Sequence, residues 1–198
     1  MRFMIRRAQI ADVPAMAQII NDCAEYGIML PRSLASLYEN VRDFHVAVEA
    51  DSQGAGADRQ QVVGVCGLSV IWANLAEVYA LAVAPQCRGQ GLGKRLVLAC
   101  VDEAETLGIK RLMTLTYEKV FFEKMGFAVI DRQQLPLKVW SECVRCPKNQ
   151  ACDEIAMIRE LADVPELKVP RPVPPPPDQY VLPTVTRLRA GTPPVEDD

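Results

Sequence analysis

The stretch Gln86-Cys87-Arg88-Gly89-Gln90-Gly91-Leu92-Gly93-Lys94-Arg95-Leu96 holds the residue types and spacing that most directly suggest chemistry. Glycines at i, i+2 and i+4 leave the backbone bare of Cβ atoms, so successive N–H groups can converge on an anion. A helix starting immediately afterwards adds its positive N-terminal end, which makes a pyrophosphate the natural ligand. Arg88 and Lys94 can neutralise further phosphate charge. The mononucleotide phosphate loop needs Gly-x4-Gly-Lys-Ser/Thr, but Arg95 stands where the magnesium-binding hydroxyl would be. A dinucleotide fold wants Gly-x-Gly-x-x-Gly in its first βαβ unit, whereas the spacing here is Gly-x-Gly-x-Gly in mid-chain. Neither family fits; the remaining alternative is a tight turn with no ligand.

A second group is Cys143-x2-Cys146-Pro147-x4-Cys152. Its first spacing is that of a zinc knuckle, but a structural zinc wants four ligands and an iron–sulfur cluster usually four cysteines. A fourth ligand would have to come from Cys23, Cys66, His45, Asp153 or a partner chain. The alternative is three thiols in a loop beside Trp140. Cys23, Cys66, Cys87 and Cys100 read as small core or turn residues. The single histidine, His45, opens an apolar strand and reads as structural.

The composition narrows the field. The 198 residues carry 22 Lys+Arg against 25 Asp+Glu, a net charge of −3 that argues against a general nucleic-acid binder. The longest apolar run, Val78 to Ala84, is far short of a membrane helix. Met1 to Arg7 breaks to charge too early for a secretory signal. Seven cysteines without such a signal point to a reducing, cytoplasmic compartment and no disulfide frame.

Alternating strands and helices must position these groups. Strand patterns cover Phe3–Ala8, Phe44–Val48, Gln61–Ile71, Glu77–Val83, Arg111–Thr116, Gly126–Ile130 and Glu154–Arg159. A helix follows Asp12, the expected N-cap, with Pro14 in its first turn; another follows Ser33, with Leu34, Leu37 and Val41 as its inner stripe. The longest helix runs from Leu92 to Leu107 and stops at Gly108. A short one passes through Glu123-Lys124-Met125, and Leu135–Glu142 also looks helical. Asp51–Gln60 reads as a hairpin loop. Phe121, Met125 and Phe127 are expected in the core. The pattern predicts an α+β domain over residues 1–160, with one mixed, mostly antiparallel sheet of six to seven strands flanked by helices. Ten of the 15 prolines lie in residues 165–194, so 161–198 is expected to be an extended or disordered tail.

Gln86-x-x-Gly89-x-Gly91, preceded by Leu81-Ala82-Val83 and followed by Leu92-Gly93, resembles the acetyl-CoA loop of the GCN5-related N-acetyltransferases. Phe121-Phe122-Glu123-Lys124-Met125-Gly126-Phe127 is similar to that family's later signature. The likeness spans about residues 2–160. Gly27-Ile28-Met29-Leu30-Pro31-Arg32-Ser33 with Leu37-Tyr38-Glu39, and Met113-Thr114-Leu115-Thr116, resemble the N-acetylglutamate synthase group. The length leaves no room for the amino-acid-kinase-like domain of the long synthases, so an arginine feedback site located there is expected to be absent.

The resemblance implies transfer of acetyl from acetyl-CoA to the α-amine of an amino acid, glutamate first, in arginine biosynthesis. Cofactor contacts would fall on Leu81, Ala82, Val83, Gln86, Arg88, Gly89, Gln90, Gly91, Leu92, Gly93 and Lys94, with the thioester near Leu81 and Ala82. Glu77 would accept the amine's proton, directly or through water; its alternative role is to cap the sheet edge. Phe122 occupies the position where many members carry a tyrosine acid, leaving Tyr117 as its substitute and Tyr79 as a second candidate. Arg32, with Ser33 beside it, would take the acceptor's carboxylate. Long synthases carry basic and hydroxyl side chains near the final strand, where this chain has Cys152-Asp153-Glu154. A second carboxylate therefore has no evident partner. Another small-molecule or protein amine as acceptor, or a non-catalytic acyl-CoA-sensing domain, are the rival readings, and a homo-oligomer stays open.

Overall fold

The computed structural model describes residues 3–49, 61–135 and 153–167. The expected hairpin loop at 51–60, the helix after Leu135, the tail beyond 167 and Cys143, Cys146 and Cys152 lie outside those residues. A seven-stranded sheet runs through the described chain in the order β1-β2-β3-β4-β5-β7-β6. Its strands are β1 (Phe3–Arg7), β2 (Phe44–Glu49), β3 (Gln61–Trp72), β4 (Leu75–Val83), β5 (Arg111–Thr116), β6 (Ala128–Val129) and β7 (Ile155–Glu160). All neighbours are antiparallel except β4 and β5. That one parallel step follows from its connection, which passes through the long helix α3 (Leu92–Thr106).

Helices cover both faces because the strands are apolar on both. On β2, Val46 and Val48 pack with Met16 and Ile20 of α1 (Val13–Glu25), while Ala47 between them packs with Leu96 and Cys100 of α3. Leu161 and Val164, past the expected boundary at residue 160, are buried in the α3-side core. No helix of the described residues is long and apolar enough to cross a membrane.

Three local expectations need correction. Asp12 stands at the N-cap position of α1, but its side chain caps none of that helix's amides: a one-turn 3-10 helix, Ile10–Asp12, precedes α1, and the residue is itself helical. Its carboxylate instead accepts the Gln9 N–H at 2.7 Å and two bonds from Arg6 at 2.6 and 2.9 Å. Burial alone would raise the Asp12 pKa, but these donors outweigh it and hold the carboxyl below the usual range. Helix α2 (Leu34–Glu39) buries Leu37, but Leu34 is 51% exposed and Val41 falls in a following 3-10 turn, so the three do not form one inner stripe. The strand expected over Gly126–Ile130 shrinks to the two exposed residues of β6, because Gly126 adopts a left-handed φ of 82° and Phe127 turns into the core.

Candidate active site

The sheet opens where β4 bends. Val65 pairs with Ala82 and Gly67 with Tyr79, so β4 spends one extra residue between those rungs, and a bulge falls at Ala80 and Leu81 opposite Cys66. Ala80 has φ 50°, the one positive-φ residue besides glycine among those described. Pairing of β4 with β5 covers Leu75–Glu77 against Arg111–Met113 and ends there. The two strands then part around a cavity of about 970 Å³. Its walls are β4 from Glu77 to Val83, β5 from Thr114 with Tyr117 beyond, the glycine turn, and the loop Ile28–Arg32.

The glycine turn is built as its composition requires. Gly89 and Gly91 have φ 75° and 76°, and a Cβ at either would meet nothing within 4 Å. The glycines are therefore needed for backbone conformation, and the space above them is open. Gly91 is the residue before α3, and its carbonyl accepts the Arg95 N–H at 3.1 Å. The amides of Leu92, Gly93 and Lys94 precede that first helical rung and have no intrahelical acceptor. Gly93 lies under Phe121, whose ring would be 3.6 Å from an added Cβ. These features suit an anionic diphosphate: bare amides, a helix N-terminus and Lys94 share one wall.

Most of the expected site residues line this cavity: Arg32, Glu77, Leu81, Ala82, Val83, Arg88, Gly89, Gly91, Leu92, Gly93, Lys94 and Tyr117. Three do not. Gln86, in the 3-10 turn Pro85–Cys87, and Gln90 are exposed outside the wall. Ser33 accepts the Ser36 N–H at 3.1 Å, so its hydroxyl caps α2. Arg88 is on the wall with its guanidinium braced, donating to the Val83 carbonyl at 3.0 Å and approaching Cys23 Sγ at 3.5 Å. The Tyr117 hydroxyl donates to Asp153 at 2.8 Å.

Tyr79 forms a platform beneath Arg32. Its ring packs on Gly67, where an added Cβ would stand 2.5 Å from a ring carbon, and meets Phe44 edge-on at 5.1 Å. The Arg32 guanidinium lies 4.6 Å from the ring centroid, a cation–π contact. The hydroxyl points to Asp43 at 3.4 Å, and burial together with that carboxylate drives the phenol far above its ordinary pKa. A phenol so held keeps its proton, and its hydroxyl is engaged with Asp43. Burial likewise raises the Asp43 carboxyl. Gly67→Ala is expected to cost roughly 1–3 kcal/mol by overpacking against the ring. Urea unfolding of the two proteins measures it.

Arg132 and the Ala80 bulge went unnoticed in the sequence, and Glu154 was read only as a strand start and a departure from the long synthases, although all three line the same cavity. A bulge on alanine carries no composition signal. Arg132 and Glu154 are brought in by chain segments distant from the motifs. His45 is buried against Cys100 Sγ at 3.9 Å and Glu103 at 3.6 Å, the setting of a structural histidine. No group of three or more His, Cys, Asp or Glu able to hold a metal occurs among the described residues.

The pattern that defines the Acetyltransferase (GNAT) family matches residues 14–127. An uncharacterized N-acetyltransferase of Chlorobaculum tepidum is 38% identical over 157 residues, 79% of this chain and 96% of that one. An amino-acid acetyltransferase of Mycobacterium tuberculosis is 35% identical over 144 residues, 73% of this chain and 79% of its own. The solved N-acetylglutamate synthase of Neisseria gonorrhoeae, complexed with coenzyme A and N-acetyl-glutamate, superposes with a TM-score of 0.69 at 27% identity. That match covers 81% of this chain and 35% of the synthase chain.

Proposed function

The chain belongs to the acetyltransferase (GNAT) family and is an acetyl-CoA-dependent N-acetyltransferase, and from that premise we propose that its acceptor is the α-amine of an amino acid, L-glutamate first, in arginine biosynthesis. The observation that carries the proposal is the meeting of Arg32, Glu77 and the glycine turn on one cavity.

The bare amides of residues 88–93 and Lys94 hold the diphosphate, and the β4 edge beyond Glu77, which β5 no longer pairs, receives the pantetheine arm. Acetyl-CoA supplies the activated acyl group. An amide in the bulged stretch donates to the thioester carbonyl as it gains charge, a contribution of roughly 3–4 kcal/mol in comparable oxyanion sites. The acceptor's amine is mostly protonated near neutrality, and Glu77 takes its proton directly or through water. The departing thiolate, with a pKa of about 8.5 by analogy with cysteine, needs little help. We assign the proton it takes to Tyr117, which lines the cavity.

Arg32 takes the α-carboxylate in a forked pair, its plane preset by stacking on Tyr79. A cationic acceptor such as a polyamine would meet like charge there. Arg132 lines the same cavity and is our candidate partner for a second carboxylate.

The test is release of free CoA from acetyl-CoA against the twenty amino acids, with acidic acceptors expected to turn over fastest. Arg32→Ala should raise KM for the preferred acceptor about 10- to 100-fold and leave KM for acetyl-CoA near its original value. An unchanged acceptor KM would remove Arg32 from recognition.

A further inference from the structure

Residues 28–33 join α1 to α2 without regular structure, yet the cavity's acceptor end depends on where this segment places Arg32. Asn21, on α1 eleven residues earlier, reaches across to it. Its Oδ1 accepts the backbone N–H of Arg32 at 2.9 Å, and its Nδ2 donates to the backbone carbonyl of the same residue at 3.1 Å. Both backbone polar groups of one residue are thus matched by a single carboxamide, as a neighbouring strand would match them. Only an amide of this length supplies a donor and an acceptor in one plane; aspartate keeps the acceptor and turns a carboxylate oxygen against the carbonyl.

The consequence reaches the side chain. Holding both the N–H and the C=O of residue 32 fixes the direction of its Cα–Cβ bond, and from there the guanidinium lies on the Tyr79 ring. Tyr79 is in turn seated on Gly67 and hydrogen-bonded to Asp43. Helix α1 is itself anchored, with Met16 and Ile20 fully buried against the sheet. A rigid helix therefore carries a side chain that sets an otherwise irregular segment.

We propose that Asn21 is a positioning residue for acceptor recognition: its carboxamide clamps the backbone of Arg32 and so presets the guanidinium that takes the acceptor's carboxylate. The inference rests on the role given to Arg32 above, and the experiment separates the two. Asn21→Ala, Asn21→Asp, Arg32→Ala and the double variant Asn21→Ala/Arg32→Ala are assayed with the acceptor that turns over best in the amino-acid panel. Trypsin digestion of the same full-length proteins supplies a readout besides activity, since the Arg32–Ser33 bond is the one whose carbonyl Asn21 holds.

Loss of two net hydrogen bonds predicts about a tenfold rise in acceptor KM for Asn21→Ala, with kcat and the acetyl-CoA KM little changed. Asn21→Asp should fall between it and the parent. In the Arg32→Ala background the Asn21 change should add nothing to KM, because it acts through the guanidinium that is already gone. Cleavage at Arg32–Ser33 should accelerate about tenfold in Asn21→Ala while other sites keep their rates, which separates local release from general unfolding. If Arg32→Ala raises the acceptor KM but Asn21→Ala changes neither KM nor cleavage, the positioning role is overturned and the recognition role stands. An additive KM effect in the double variant also overturns it. If Asn21→Ala speeds cleavage but neither single variant moves KM, the clamp is real and the recognition role assigned to Arg32 fails.

Discussion

Glu77→Gln is expected to lower kcat by about 10²–10⁴-fold while acetyl-CoA binding and the fold persist. Glu77 closes the paired segment of β4 and β5, opposite Met113, and lines the cavity. Glutamine keeps the shape and the hydrogen-bonding length but has no basic oxygen for the amine's proton. The pH–rate profile gives the sharper signature: the parent should show an acidic limb for deprotonation of its base, and the variant should lose it. A carboxylate that merely braced the strand end would give another pattern, lower stability towards urea with turnover nearly intact. Steady-state kinetics across pH, run beside an unfolding curve, therefore separates base from brace.

Gly91→Val should weaken CoA binding by about a hundredfold. At φ 76° a side chain is strained whatever the space around it, and the open volume above Gly91 offers no relief. A left-handed residue other than glycine costs roughly 1–2 kcal/mol, and a β-branched one more. The turn would relax instead, and relaxation rotates the amides on either side of residue 91 out of their common direction. The helix α3 that follows buries Leu92, Leu96 and Cys100 and should hold. Gly108 provides the control. It also has a positive φ, 72°, with open space around a Cβ, but it follows the opposite end of α3. Gly108→Val should cost similar stability and leave CoA affinity unchanged. Calorimetric titration of CoA into both variants checks the pair.

Much of this geometry was legible before any coordinates, and the part that was not has physical reasons. The glycine turn could be found because three residues at fixed spacing serve a local backbone need, and local needs leave local signals. The nearly unbroken apolar run of β4 and the 3.6-residue period of α3 likewise express burial directly. Ser33 as a helix cap was legible for the same reason, since a cap satisfies amides within its own turn. Asp12 misled because the same residue type can serve a distant cation; pairing with Arg6 on β1 outweighed its capping preference. The Ala80 bulge had no signature, as alanine is indifferent to strands and disfavoured at positive φ. Gly67 did carry a hint, for a glycine inside an apolar strand often marks close approach by another group. Only the fold shows that the group is the Tyr79 ring, and that Arg32 lies over the same ring. Arg132 comes to the cavity from beyond β6, a placement that no sequence spacing records.

The central claim is that the bulged end of β4 and the glycine turn together form the seat of acetyl-CoA. Amide hydrogen exchange with and without CoA tests it residue by residue. Slowed exchange confined to residues 81–83 and 88–94 is the predicted result. Protection that misses both stretches, or that spreads evenly over the sheet, would contradict it.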